Sequence, residues 1–213
     1  MTEAEAAAPD APQPPADPRP LPGEPLCLDL LNTRWHDGGN PRDLLDSLDG
    51  LALWLRLNGF AEQVPADRAA LDALLTTRAA IAGHLAQLRA QSAPEEGPGA
   101  EHPDLEAARP DLEAARAELN AVLAHGALRR TLAADGPAER AEADTPAWLP
   151  AWLAAADYLR LLTEAPDRIR SCAHPDCVLH FYDTSKNGTR RWHSMATCGN
   201  RAKASRHYAR SKA

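Results

Sequence analysis

Apolar residues recur at helical spacing along most of the chain. Between Asp67 and Ala90, leucines and an isoleucine return every three or four positions, and Asp67 is a suitable N-cap for a helix. Asn58-Gly59 ends a shorter stretch of the same kind, and Pro166 follows another. The shorter helical stretches cover residues 43–57, 111–124 and 148–163. The pattern therefore predicts a mainly α-helical body with one apolar core.

Two segments carry a weaker secondary-structure signal. The segment from Leu26 to Thr33 is apolar apart from Asp29, which fits a short buried helix or a strand, and a helix is favoured. Residues 126–147 are weakly patterned and predict one or two short strands joined at Asp135-Gly136. The body is therefore expected to contain minor β-structure beside its helices.

Stretches rich in proline and glycine separate these elements. Residues 1–20 contain six Pro and six Ala, so they cannot bury enough apolar surface to offset the entropy lost on ordering. We predict a disordered leader over residues 1–21. Residues 92–103 contain three Pro and two Gly and predict a mobile loop, and Gly38 to Pro41 predicts another loop. The expected domains are a helical body at 22–165 and a separate C-terminal segment at 168–213.

The charge of the chain is unevenly distributed. The net charge is −7 and the sequence pI is about 5.6. Residues 168–213 contain ten Lys/Arg and two Asp, a net of +8, whereas residues 1–167 contain thirteen Lys/Arg and twenty-eight Asp/Glu, a net of −15. A basic tail on an acidic body suggests a polyanion-binding module. The alternative is a basic terminus that is simply solvated.

The sequence argues against the secreted and membrane-bound classes. The N-terminus is acidic and Pro-rich, without the basic start and apolar run of a secretory leader. No stretch approaches the roughly eighteen apolar residues that a membrane span requires. Four poorly distributed cysteines do not suggest a disulfide framework. We expect a soluble cytoplasmic protein, and the Ala, Arg and Pro bias suggests a bacterial source.

Four soft metal ligands lie close together near the C-terminus. Cys172 and Cys177 are separated by four residues, as are His193 and Cys198, and fifteen residues lie between the two pairs. One tight turn can present each pair, and the spacer allows a hairpin that brings the pairs together, so the spacing predicts a tetrahedral Zn²⁺ site. Three thiolates and one imidazole leave no open position for water, which favours a structural site over a catalytic one. Two other histidines compete for the fourth position: His174 and His180.

The residues around the ligands predict how this segment folds. Val178 to Asp183 is β-prone, and Asn187-Gly188 followed by Thr189 to Trp192 is typical of a β-hairpin. Ser194 is a good N-cap for a helix that runs through Cys198 to about Lys212. The order of knuckle, hairpin and helix predicts a small treble-clef-like fold that draws its folding energy from the metal.

The basic residues of this segment predict a surface for DNA phosphates. The terminal helix carries one stripe at i, i+3, i+4 and i+7, formed by Lys203, Arg206, His207 and Arg210. Arg201 lies about 160° from Lys203 around the helix, so it packs within the module or contacts phosphate from another edge. Three further cations lie on or beside the predicted hairpin: Lys186, Arg190 and Arg191. If about six of these charges meet phosphates, the log–log slope of DNA affinity against salt is near −5.

Several of these residues resemble a known zinc finger. The C-terminal segment is similar to the CGNR zinc finger, which is named for the tetrapeptide Cys198-Gly199-Asn200-Arg201. The similarity extends to the run Arg191-Trp192-His193-Ser194-Met195 and, before it, to Phe181, Asp183 and Ser185. Upstream, a second segment resembles the start of the ABATE domain, which precedes this finger in bacterial proteins: Leu26-Cys27-Leu28-Asp29-Leu30-Leu31-Asn32-Thr33. The resemblance implies a stress-induced transcription regulator, with DNA binding by residues 168–213. The family pattern usually has Cys where this chain has His193, and an imidazole there keeps a zinc site with one thiolate fewer.

The sequence therefore predicts a zinc-dependent DNA-binding protein, a bacterial transcriptional regulator whose helical domain senses or dimerises. A small-molecule effector and a homodimer are expected of that domain, and the polar cluster Asp29, Asn32 and Arg34 is the candidate ligand-binding site. The alternative is a zinc-finger adaptor that binds a protein or RNA partner, because fold alone does not settle function. No spacing matches a catalytic constellation, so we do not expect an enzyme.

Overall fold

A computed structural model describes residues 16–92 and 112–211, and helices dominate it. The helices are α1 Leu26–Leu31, α2 Leu48–Leu57, α3 Arg68–Ser92, α4 Leu112–Leu123, α5 Leu149–Glu164 and α6 Asn200–Ser211. The mainly helical prediction is confirmed, including the helix at Leu26. Of the loop predicted over residues 92–103, Ser92 ends helix α3 and the rest lies outside the described residues. None of the described helices combines the length and the apolarity that a bilayer span requires.

Side-chain caps fix where two of the helices begin. Asp67 Oδ1 accepts a hydrogen bond from Ala70 N–H at 2.9 Å, as the sequence predicts for the start of α3. Helix α2 begins later than the apolar rhythm suggests, because residues 44–46 form a separate helical turn. Ser47 Oγ then caps α2 by accepting from Gly50 N–H at 3.2 Å.

Two adjoining groups of buried side chains form the core. The first lies between α1, α2, α5 and the start of α3, and it includes the fully buried Trp54. The second lies between α1, α3, α4 and α5, and it includes the fully buried Tyr158. Ile169, from the C-terminal segment, is 5% exposed and belongs to this second group. The C-terminal segment is therefore packed into the body.

Among the described residues, the strands form three antiparallel hairpins: β1 Arg34–Asp37 with β2 Asn40–Asp43, β3 Gly126–Ala133 with β4 Gly136–Ala143, and β5 Ile169–Ser171 with β6 His180–Tyr182. The first was predicted only as a loop; its turn uses Gly38 and Gly39 at φ of 57° and 88°, which glycine adopts without strain. The second was predicted as one or two short strands, yet each strand has eight residues. Its apolar pattern is weak because both faces are largely exposed.

Order begins before the predicted end of the leader. Residues 1–15 lie outside the described residues, but Arg19 is 5% exposed. Its guanidinium donates to Asp17 Oδ2 and to Asp29 Oδ1, both at 2.8 Å. The disorder predicted for residues 1–21 therefore does not extend to Asp17 and Arg19. A buried ion pair with helix α1 holds a segment that composition alone predicts to be disordered.

Candidate metal centre

The first ligand pair lies on the knuckle between β5 and β6. Cys172 N–H donates to Leu179 O at 2.9 Å, and Cys177 N–H donates to His174 O at 3.0 Å. The first bond closes the loop from Cys172 to Leu179, and the second closes a tight turn from His174 to Cys177 within it. One local backbone feature therefore presents both thiols, as the sequence predicts.

The β-hairpin of this module is not the one predicted from Asn187-Gly188. Gly188 does lie in a turn, with φ of 60°, but the residues after it do not form a strand. Their backbone bonds elsewhere: Arg190 N–H donates to Asp183 Oδ2, and Arg191 O accepts from Ala173 N–H, both at 2.8 Å. With those groups engaged, β6 pairs with β5 instead.

The second ligand pair flanks the start of the terminal helix. Ser194 Oγ accepts from Thr197 N–H at 3.3 Å, which confirms the predicted N-cap. Gly199 N–H donates to Ser194 O at 3.1 Å, so the first turn is a wide π-helical turn. His193 precedes this turn and Cys198 lies within it, before α6 begins.

The four predicted ligands converge. The donor atoms of Cys172, Cys177, His193 and Cys198 all lie within 4.8 Å of one another, and His193 Nδ1 is 3.5 Å from Cys177 Sγ. All four cysteines of the chain are free thiols. Sulfur ligands of tetrahedral zinc lie about 3.8 Å apart, so small side-chain rotations would close the site. Three thiols and one imidazole form a donor set that suits Zn²⁺.

The protonation of these ligands makes metal binding depend on pH. Burial raises the pKa of Cys177 to about 12, and burial likewise raises the pKa of Cys198. Burial, followed by the charges of Arg190 and Arg201, lowers the pKa of His193 and favours the neutral imidazole that ligates metals. Zinc must displace the thiol protons, so its affinity rises with pH.

The two competing histidines lie outside the four-donor cluster. His174 Nδ1 accepts from Asp176 N–H at 3.3 Å within the knuckle. His180 Nε2 lies 3.4 Å from the Nη1 of Arg89, on the side of β6 that faces the body. Burial, together with the Arg89 charge, lowers the pKa of His180 to about 4. His180 is therefore a neutral residue of the contact between module and body.

Arg190 was predicted to contact DNA, but its side chain bonds within the module. The guanidinium lies 4.7 Å from the centroid of the Phe181 ring. Its Nε donates to Trp192 O at 2.9 Å, and its Nη2 donates to His193 O. Because these bonds hold the backbone of His193, Arg190 positions a metal ligand. Sequence spacing did not distinguish it from its exposed neighbour Arg191.

The other cations predicted to contact DNA are exposed wherever the structure describes their side chains. The exposed ones are Lys186, Arg191, Arg201 and Lys203. The backbones of the remaining three are helical in α6, but their side chains lie outside the described residues: Arg206, His207 and Arg210. The predicted stripe on the terminal helix is therefore described only at Lys203.

Two of the exposed arginines lie against different parts of the module. Arg191 lines a groove of about 400 Å³ together with Ala202 and Ser205 of α6, so its side chain lies beside the helix. Arg201 borders a smaller recess of about 180 Å³ that also contacts Cys198. Arg201 thus places a positive charge near the thiols. This agrees with one of the two roles predicted from its position on the helix, packing within the module.

The three residues predicted to bind a ligand have structural partners. Asp29 is buried, and its Oδ1 accepts from Arg19 Nη1 and Trp54 Nε1, each at 2.8 Å. Arg34 is exposed and pairs with a carboxylate of β2 at 3.1 Å. Asn32 is buried and faces the metal module. Each of the three side chains thus has a different structural partner, and ligand binding by this cluster stays a prediction.

Side chains of the body bind the backbone of β6. Asn32 Nδ2 donates to His180 O, and Asn32 Oδ1 accepts from His180 N–H, both at 2.8 Å. Glu24 Oε2 accepts from Tyr182 N–H at 2.8 Å. These side chains therefore supply hydrogen bonds of the kind that a neighbouring strand would make.

Two further contacts join the body to the metal module. His36 Nδ1–H, on the β1–β2 hairpin, donates to Asp176 O of the knuckle at 2.8 Å. Arg89 Nη1, near the end of α3, donates to Ser171 Oγ. Both the knuckle and the β5–β6 hairpin are thus held by the body. The sequence carries no local signal for these contacts.

Comparison with known protein families gives two matches. The CGNR zinc finger model matches residues 168–211, the region that contains the four-donor cluster. The ABATE model, described as "Putative stress-induced transcription regulator", matches residues 24–165, more than half of the chain. No curated protein matches the chain. The two matches follow one another in the order that the sequence motifs indicate.

Proposed function

The chain belongs to the ABATE family and carries a CGNR zinc finger, and we propose that it is a zinc-dependent, DNA-binding regulator of transcription. The observation that carries the proposal is the convergence of Cys172, Cys177, His193 and Cys198 within 4.8 Å at the start of a basic helix. Bound Zn²⁺ would join the knuckle to the first turn before α6 in a treble-clef-like module. Coordination of the metal by both ligand pairs would fix the direction of the helix relative to the β5–β6 hairpin.

The charge distribution supports DNA as the partner. The C-terminal segment carries a net of +8 with ten Lys/Arg and two Asp, and the side chains of Lys186, Arg191, Arg201 and Lys203 are exposed on it. Such cations bind phosphates and release counterions, which gives affinity and orientation without sequence information. The side chains that read bases are not assigned. The acidic body disfavours non-specific wrapping of DNA around the whole protein.

DNA binding is tested with the full chain, because Ile169 belongs to the core of the body. We expect zinc-loaded protein to bind labelled duplex DNA with an affinity that falls steeply with salt. Arg191→Ala and Lys203→Ala should each weaken binding and reduce the salt slope by about 1. Arg56→Ala removes an exposed arginine from α2 and should change neither. Zinc-loaded protein whose DNA binding is absent or insensitive to salt would refute the proposal and favour the protein- or RNA-binding adaptor.

The metal requirement is tested separately by metal analysis. We expect about one zinc per chain. Cys198→Ala should lose the metal and, with it, DNA binding. Cys27→Ala removes a buried thiol outside the cluster and should keep both. A Cys198→Ala protein that retains stoichiometric zinc would show that the four-donor site is wrongly assigned.

The proposal includes two further properties of the body. One small finger offers few phosphate contacts, so we propose homodimerisation through the body to strengthen binding. A small-molecule effector bound between helices would give the body its sensing role. The setting proposed for this regulator is the bacterial cytoplasm, and no enzymatic reaction is assigned to it.

A further inference from the structure

The β3–β4 hairpin is exposed on both faces along most of its length. Leu128 and Leu132 lie on the same face and are 55% and 84% exposed. Among the described strands, β4 pairs only with β3. An isolated two-stranded hairpin is marginally stable in water, and an open edge readily pairs with another strand. The hairpin is therefore incompletely covered in a single chain.

A groove lies beside the second half of β4. Its volume is about 590 Å³, and it is lined by residues 140–146 on one side and by Gln63 and Leu149 of the body. Most of its lining belongs to the second half of β4 and the residues that follow it, and β4 has no second strand partner among the described residues. An extended segment lying there could hydrogen-bond to β4 and pack against the body.

The charges of the hairpin leave one cation without an acidic partner. Arg130 pairs with Glu139 at 2.7 Å, and Arg129 pairs with Glu142 at 2.8 Å. Arg140 lies directly opposite Arg129 in the register and has no ion pair within residues 16–92 and 112–211. Like charges that face each other across strands are destabilising. An acidic group near Arg140 would relieve this repulsion.

A second copy of the same strand supplies that group in one register. Two antiparallel β4 strands related by a two-fold axis through the sheet place residues of the same face opposite each other. Centring the axis on Glu139, Arg140 or Glu142 would place that residue opposite its own copy, with like charges in contact. Centring it on Ala141 places Arg140 of each copy opposite Glu142 of the other. Of the axis positions within β4, only Ala141 gives Arg140 an acidic partner without placing like charges opposite each other.

We propose that the β4 edge is a homodimer interface in which the two β4 strands pair antiparallel about Ala141. The result is a four-stranded sheet in the order β3, β4, β4, β3. Because Leu128 lies opposite Ala141 in the register, the two Ala141 side chains and the flanking Leu128 side chains form one apolar row across the sheet. The interface gives the proposed dimer its contact surface, but it does not depend on DNA binding.

Charge reversal tests the interface by sedimentation of the zinc-loaded full chain without DNA. The wild-type chain should be dimeric in the micromolar range. Arg140→Glu or Glu142→Arg alone should weaken the homodimer by about tenfold or more, because each places like charges opposite each other twice. An equimolar mixture of the two variants should regain dimers, since every facing pair is then complementary. Arg56→Glu makes the same charge change on an exposed surface of α2 and should remain dimeric.

Disulfide trapping tests the register. Ala141→Cys should form a covalent dimer under mild oxidation, because residues on the axis lie within disulfide reach. Ala138→Cys, three residues away on the same strand, should not. A monomeric wild-type chain, a dimer indifferent to both charge reversals, or cross-linking through Ala138→Cys instead would overturn the proposal. A monomeric wild-type chain would also overturn the proposed homodimerisation, whereas the zinc dependence and salt dependence of DNA binding are measured separately and do not depend on this register.

Discussion

Replacing Asn32 by alanine should loosen the metal module from the body. The carboxamide of Asn32 makes two hydrogen bonds to the backbone of His180, both 2.8 Å long, across 148 residues of sequence. The side chain is fully buried. Alanine would leave the N–H and the carbonyl of His180 without these partners. The perturbation therefore acts on the junction and on no metal ligand.

The expected loss follows from the cost of an unmade buried hydrogen bond. Each orphaned buried donor or acceptor costs about 1–3 kcal/mol. Two such groups would cost about 2–6 kcal/mol, and a water that enters the vacated space would recover part of this. We therefore expect Asn32→Ala to lower the free energy of unfolding by about 3 kcal/mol.

The assay is equilibrium urea unfolding of zinc-loaded and chelated protein, followed by tryptophan fluorescence. Zinc stabilises whatever is folded together with its site, so in the wild-type chain chelation should lower the stability of the body as well as the module. Asn32→Ala should reduce this effect on the body. Asn58→Ala is the matched control, because the partners of Asn58 Nδ2 among the described residues are Trp54 O and Asp29 Oδ1, both in the body.

Two results would refute this reasoning. An Asn32→Ala protein within about 0.5 kcal/mol of the wild type would show that the junction contributes little to stability. An undiminished effect of zinc on the body would show that the two parts are coupled by other contacts. In either case Asn58→Ala should still show the loss expected for its own hydrogen bonds.

Three further predictions concern the junction, the metal centre and the core. Burial and the charge of Arg89 hold the folded pKa of His180 at about 4, below its ordinary 6.5, so stability should be full above pH 6.5 and fall by up to about 3 kcal/mol towards pH 4. His180→Gln should flatten that fall in urea unfolding at several pH values, and an unchanged slope would contradict the assignment. Arg190→Ala should raise the zinc dissociation constant by about tenfold in competition with a chelator, whereas Arg191→Ala should leave zinc affinity intact; equal effects would contradict the positioning role. Asp43→Asn should cost about 3 kcal/mol in unfolding experiments, because the buried Arg78 loses a bidentate partner at 2.7 Å, and a change within about 0.5 kcal/mol would contradict this.

Features that depend on neighbours in sequence could be predicted. The Asp67 and Ser194 caps act on N–H groups three residues away, so the starts of their helices are visible in the sequence. The ligand pairs are likewise local, since a knuckle presents Cys172 and Cys177. Zinc chemistry then restricts which of the nearby histidines completes the set, and His193 lies in the cluster as predicted.

Features that depend on distant partners could not be predicted. Asn32 was predicted to bind a ligand because it belongs to a polar cluster near the start of the body, and nothing local identified His180 as its partner. Arg190 looked like a DNA contact because its charge matched that of Arg191. Only the position of the Phe181 ring and the His193 carbonyl showed that its guanidinium bonds internally.

The sequence by itself determined the helices, the four side chains of the candidate metal site and the split between an acidic body and a basic tail. The tertiary structure decided that Arg19 is buried, that β6 pairs with β5, and that the body holds the module through its backbone. The physical reason is the range of the interactions. Propensity, capping and ligand spacing act over a few residues, whereas burial and hydrogen-bond pairing across the fold are decided by which surfaces pack together.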